Sequence, residues 1–313
     1  MRNQSYLPTG RSLRFGAAAT TAFILFALFA PTADATTIYT ADEGQGTVSV
    51  FDFERGPVAT VAVGLTPHNV DLTPDGRMLL VAGVAAHGGG QHRAGALVVV
   101  DASGDKPAVV SEIAVGQHPA HVVPSADGSR AFVTDAGLNS VHAVDLKSGT
   151  AVGSVGVGEY PHGLRLSPDG RTLAVANIKD GTVSIVDAET LTEKRRIKVG
   201  RKPVQVGFTP DGRTLLVTLN GEDRLAIVDL TAGRTLRKVA VGRGPVQVYA
   251  TSDGKYALVA NQGPAQRPDN RVCLVALDGK SRCSTSSPVP ARTAWPCLGT
   301  APMRSLPTPW PIR

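Results

Sequence analysis

Cysteine is scarce in this chain: its 313 residues hold three, Cys273, Cys283 and Cys297, with no CxxC or CxxCH among them. That number and spacing exclude a disulfide framework and a covalent haem site. Catalytic signatures are missing too. No Ser/His/Asp nucleophile motif, HExxH or phosphate-cradling glycine loop occurs, and the run Gly88–Gly90 lacks the strand-to-helix setting that a phosphate loop requires. No catalytic residue is therefore assigned, and Glu159 is only a weak candidate for an acid/base partner. Excess charge also disappears once the two ends are set aside. The formal net charge is +6 with 32 basic residues. Arg2, Arg11 and Arg14 lie in the first 35 residues and Arg282, Arg292, Arg304 and Arg313 in the last 33, leaving 25 basic against 25 acidic residues between Thr36 and Lys280. A neutral body gives no support for nucleic acid or an anionic membrane as a partner.

What is present begins with a leader. The three arginines precede the apolar run "FGAAATTAFILFALFA" and the small-residue stretch "ADA" that ends at Ala35, the three-part plan of a secretory signal peptide. Residues 1–35 are expected to be removed, giving an exported chain, periplasmic or extracellular, that starts near Thr36. The run is shorter than the roughly 20 apolar residues of a spanning helix, so no membrane span is expected after cleavage.

The body is repetitive. "VG" glycines fall at Gly64, Gly116, Gly158, Gly200 and Gly242, and Asp-Gly pairs at Asp75, Asp127, Asp169, Asp211 and Asp253; both series step by 52, 42, 42 and 42. A period of about 42 residues points to propeller blades or helical arrays. The units consist of short Val/Ile/Leu runs with two-residue alternation and carry no helical stripe, which decides for an all-β propeller. One unit reads as four strands: "HGLRLS", "TLAVAN", "TVSIVD" and "EKRRIKVG". Between the first two, "SPDGR" is a turn in which Pro presets φ and Gly takes φ > 0. The five Asp-Gly aspartates are thus turn formers, as are Asp52, Asp101, Asp145, Asp187 and Asp229 at the ends of third strands. The body starts partway into a unit, with "TIYTAD", "TVSVFD" and "ATVAVG" as its second to fourth strands. The missing first strand is expected from the C-terminus, as a clasp that closes the ring.

These repeats resemble the YVTN family of β-propellers, whose unit carries a valine-glycine step, a Pro-His or Pro-x pair, "SPDG", a "YVTN"-like second strand and a "VxVxD" third strand. The second strands here read "AFVTD", "LAVAN", "LLVTL" and "ALVAN". The resemblance covers about Thr37 to Leu277 and implies the fold. Similar propellers occur in surface-layer proteins, in periplasmic proteins that accompany quinone-dependent oxidation and in the haem d1 domain of nitrite reductases, so it does not single out one function.

The domain plan is a leader over 1–35, a propeller over 36–280 and a non-repeat tail over 281–313. The tail brings both Trp residues, seven Pro and no acid. It reads either as a disordered extension or as a frameshift. Back-translated from Ala291 with free synonymous choice and read two bases later, it admits "AHGVAVSRDGAYAFVTNTVADT", a further repeat. Counting that repeat predicts a seven-bladed design of four-stranded blades, truncated in its last blade and left as an open ring.

Histidine carries the functional signal. His68 and His162 directly follow the unit's proline, His121 follows it by two, and His118 precedes it. All four lie at the start of the first, innermost strand, where later units have Val204, Gln205, Val246 and Gln247. Unit two is lengthened by "HGGGQHR", which places His87 and His92 in a loop between second and third strands, at the same end of the ring; "QGPAQRPDN" occupies that loop in unit six. The candidate ligand-binding set is His68, His118, His121, His162, Gln205 and Gln247. The candidate transition-metal set is His68, His121, His162, His87 and His92, since imidazole suits Zn, Cu, Fe and Ni; the cofactor itself is unknown. His142, inside a third strand, is expected to be structural. Three functions compete: a propeller binding a metal, haem-like or quinone ligand, a scaffold for a periplasmic partner protein, and an enzyme of lyase or lactonase type. Binding or scaffolding ranks above catalysis because no acid/base pair is evident.

Overall fold

The computed structural model describes residues 37–85, 95–104 and 106–278, together with the backbone of Phe23–Ile24 and Ser284–Thr285. The rest of residues 1–36 and 279–313, residue 105, and the loop over 86–94 with His87 and His92 lie outside the described residues. No helix occurs among those described, and none is long and apolar enough to cross a membrane.

Strands form where the two-residue alternation of β-branched and leucine residues predicts them. Six antiparallel four-stranded sheets result. The first holds β1 (Phe23–Ile24), β2 (Thr37–Asp42), β3 (Thr47–Asp52) and β4 (Gly56–Ala62). The second holds β5 (Leu65–Leu72), β6 (Met78–Ala85), β7 (Gly95–Asp101) and β8 (Ala108–Ala114). The third holds β9 (Pro119–Pro124), β10 (Arg130–Asp135), β11 (Ser140–Asp145) and β12 (Thr150–Gly156). The fourth holds β13 (Pro161–Leu166), β14 (Thr172–Asn177), β15 (Thr182–Asp187) and β16 (Thr192–Lys198). The fifth holds β17 (Pro203–Phe208), β18 (Thr214–Leu219), β19 (Arg224–Asp229) and β20 (Arg234–Ala240), and the sixth β21 (Pro245–Ala250), β22 (Tyr256–Asn261), β23 (Val272–Ala276) and β24 (Ser284–Thr285).

The blade number corrects the sequence reading: the described residues form six sheets, not seven. Beyond β23 the alternation that builds a strand gives way to Pro- and Ser-rich sequence, which offers fewer ladder donors and packing side chains, and among the described residues the only strand after β23 is the two-residue β24. Among the described residues, no C-terminal strand clasps the first sheet either. The place beside β2 is taken by β1, with Phe23 opposite Ala41 and Ile24 opposite Thr40.

A four-stranded sheet cannot bury both of its faces alone, and stacking solves this. Apolar cores join each consecutive pair of sheets. Ala41 and Val48 pack with Val70 and Val81; Leu80 and Leu97 with Val122 and Val133; Phe132 and Val141 with Leu164 and Leu173; Ala174 and Val183 with Leu215 and Val217; Leu216 and Leu225 with Val248 and Val259. The inner strands β5, β9, β13, β17 and β21 follow one another around the axis.

Four of these inner strands open on a proline, β5 carries Pro67 as its third residue, and in each the proline is followed by a β-bulge. In the third sheet Ala120 and His121 together oppose Thr134, in the fourth His162 and Gly163 oppose Ala176, and in the fifth Val204 and Gln205 oppose Thr218. The second and sixth sheets shift register at the same place, between Pro67 and Asn69 and between Pro245 and Gln247. A bulge re-aims side chains that strict alternation would send to opposite faces. This feature is what builds the site.

Candidate functional site

Three imidazoles from three blades meet at the axis. His68 on β5 and His162 on β13 bring their Nε2 atoms to 3.0 Å. His121 on β9 completes the group, its ring centroid 5.7 Å from that of His68 and 4.7 Å from that of His162. One ring nitrogen from each of the three lies within 4.8 Å of the others. His68 and His162 stand one residue after the leading proline and His121 two. The bulge lets both positions serve the same point.

The other ring nitrogens are turned outward to fixed partners. His162 Nδ1 lies 3.1 Å from the Val204 carbonyl; a carbonyl only accepts, so Nδ1 holds the proton and Nε2 presents its lone pair inward. His68 Nδ1 faces Glu43 Oε1 at 3.8 Å, across from the turn between β2 and β3. His121 Nδ1 faces the Gln205 amide at 3.5 Å, and Gln205 Nε2 donates to Gln247 Oε1 at 3.2 Å. Carboxylate, carbonyl and amide partners of this kind fix ring orientation in metal-binding histidines. The backbone is tied as well. His121 N–H donates to Thr134 Oγ1 (2.9 Å), whose hydroxyl donates to the His162 carbonyl (2.7 Å), and Val122 N–H donates to Asn69 Oδ1 (3.1 Å).

Gly163 makes one of these contacts possible. It occupies on β13 the position that His121 occupies on β9, and a Cβ there would collide with Gln205 Oε1 and approach the Val204 carbonyl. Without a side chain at 163, Gln205 of the fifth blade reaches past the fourth blade to His121 of the third.

Burial sets the charge state. Desolvation, followed by the charges of His162, His68 and Arg165, holds His121 well below the usual imidazole range. His162 is lowered to about 3, chiefly by burial and then by His68, against an opposing hydrogen bond to Val204. Both are neutral at pH 7 and offer lone pairs, as a transition metal requires. Metal–nitrogen bonds of about 2.0–2.1 Å in a tetrahedral site place ligand nitrogens about 3.3 Å apart. The His68–His162 pair is already near that spacing.

The remaining sequence candidates separate. Gln205 and Gln247 are buried beside the triad. His118 is exposed at the rim, its N–H donating to Asp135 Oδ1 (2.8 Å) and its ring 6.3 Å from that of Tyr160. His142 is structural: Ser140 Oγ lies 3.0 Å and Asp135 Oδ2 3.5 Å from its Nε2. Glu159 is exposed, with its N–H donating to Asp180 Oδ2. Glu43 was not foreseen, although its turn joins second and third strands as the loop with His87 and His92 does.

Comparisons with known proteins agree with this architecture. Residues 167–280 match the family model described as YNCE-like beta-propeller. Among solved structures the chain is similar to Kuenenia stuttgartiensis hydrazine synthase, at 25% identity and a TM-score of 0.60, covering 71% of this chain and 66% of that one. The chain thus spans just under two thirds of that relative's length. No curated protein matches.

Proposed function

We propose that this chain, a β-propeller of the YVTN type, is a binding scaffold whose centre is a transition-metal site formed by His68, His121 and His162. The observation that carries the reading is the convergence of three imidazole nitrogens, from three different blades, within 4.8 Å of one another. An all-imidazole donor set suits Zn, Cu or Ni, and Glu43, Val204 and Gln205 supply the outer partners that hold the rings.

Titrating Zn, Cu and Ni separately into wild type and His121→Ala by calorimetry tests this reading. The expected result is one equivalent bound by wild type and at least about 10-fold weaker binding by the variant, since loss of even an outer partner costs that much. Equal, weak binding by both would overturn the metal centre and favour this end of the propeller as a protein-docking surface.

A further inference from the structure

A second polar layer lies deeper along the same axis and is independent of the metal reading. Two residues beyond the positions of His121, Gln205 and Gln247, about 6–7 Å further along the inner strands, β5 carries Asp71, β13 carries Arg165 and β21 carries Tyr249. All three are half-buried. The fifth blade has Gly207 at the equivalent position. Arg165 reaches past the fifth blade: its Nη2 donates to Tyr249 Oη at 3.0 Å and its guanidinium lies 5.5 Å from the Tyr249 ring centroid.

The guanidinium is only partly engaged. It has five N–H donors; one nitrogen donates to Tyr249 Oη and another to the Leu164 carbonyl at 3.0 Å. Asp71 lies close enough for Arg165 to act on its charge, yet the two form no ion pair. Asp71 Oδ1 instead accepts from Leu72 N–H at 2.9 Å. A cation and a carboxyl thus share one layer of the inner strands without pairing directly, an arrangement that a small molecule bearing a hydrogen-bonding oxygen on each side would bridge.

We propose that Arg165, Tyr249 and Asp71 form a binding site for a small oxyanion or carboxylate, with the guanidinium as its principal anchor. Guanidinium geometry matches such planar anions through paired N–H donors. The positive charge of Arg165 argues against a cation here. Burial raises Asp71 to about 6; an anion seated beside it favours its acid form, which turns a repelling carboxylate into a donor for the ligand's far oxygen. The three imidazoles one layer away, 4.7–5.7 Å apart between centroids, restrict this part of the axis to small ligands.

Acetate and inorganic phosphate, each titrated into the full-length metal-free protein at constant ionic strength and followed by calorimetry and backbone NMR shifts, provide the test. Saturable binding of at least one anion is expected, with shifts concentrated on β5, β13 and β21. Arg165→Met should weaken it at least about 10-fold, and Arg165→Lys, which keeps the charge but loses the fork, should restore it only in part. Thermal denaturation of each variant checks that it is folded. His121→Ala should leave anion binding within about twofold of wild type, and Arg165→Met should retain metal uptake, tightened if anything because it removes a positive charge that acts on His121, so the two sites fail separately. No saturable binding of either anion by wild type up to about 50 mM, well past the affinity that one guanidinium pair supplies, would overturn the proposal. Unchanged binding in a folded Arg165→Met protein would do the same.

Discussion

At the scale of single residues, the site depends on where side chains are missing as much as on where they occur. Gly163 is the clearest case, since a Cβ there would overlap Gln205. Gly163→Ala should displace Gln205 from His121 and weaken metal binding, while Glu43→Gln, which removes the charge facing His68 Nδ1, should weaken it about 10- to 100-fold, as outer partners usually do. Competition with a chromophoric chelator measures both; affinities equal to wild type would show that the rings need neither partner. The histidines themselves were legible in the sequence, because His68, His121 and His162 interrupt a position that later units fill with Val204 or Gln205. Their convergence was only half legible. A strict two-residue alternation sends the first and second residues after the proline to opposite faces, and it takes the bulge to reconcile His121 with His162. Glu43 and Arg165 were not legible at all, because each acts across a blade boundary that the repeat by itself does not describe, Glu43 on the next blade and Arg165 on a blade two steps away.

At the scale of elements, sequence and structure agree closely wherever local chemistry decides. "TLAVAN" and "TVSIVD" are β14 and β15 residue for residue, and the Asp-Gly turns are what they were read to be. In the turn after β9, Asp127 accepts hydrogen bonds from the Ser125 hydroxyl, the Ser129 N–H and the Ser129 hydroxyl, and these bonds lower it to about 2. Gly128 follows with φ at 71°. A carboxylate held below its unfolded value contributes stability that is present above about pH 4 and is lost as pH falls through about 2. Asp127→Ala should therefore cost about 1 kcal/mol at neutral pH, a modest figure because the turn is solvent-exposed. The gap to wild type should narrow as pH is lowered from 4 toward 2. Urea denaturation at pH 7 and pH 2.5 measures it, and the same gap at both values would rule out the ionised turn as the source. The blade count was misread for the opposite reason. It relied on a repeat that the chain does not carry in its own frame and on a clasp strand, whereas pairing of the first sheet is settled by which segment reaches β2.

At the scale of the whole molecule, the two polar layers have a mechanical meaning. Each apolar core joins only neighbouring sheets, so the stack is a quasi-one-dimensional array in which stability is the sum of nearest-neighbour interfaces. The axial side chains are different: His68 with His162, Gln205 with His121 and Arg165 with Tyr249 each bridge sheets two steps apart. A metal bound by the triad would add one strong link across the second, third and fourth blades, with no ligand from the fifth or sixth. Metal at 100 times its dissociation constant stabilises the folded state by about 2.7 kcal/mol, which for a chain of this size raises the unfolding midpoint by about 5–10 °C. The gain should be uneven along the chain. Native-state hydrogen exchange with and without Zn should show slower exchange in β5, β9 and β13, and in the β10 and β14 amides paired to them, with β21 and β22 changed little. Uniform protection across all six blades would mean that the propeller unfolds as one unit and that the ion does not act through the three-blade link; protection confined to exposed loops would place the ion elsewhere.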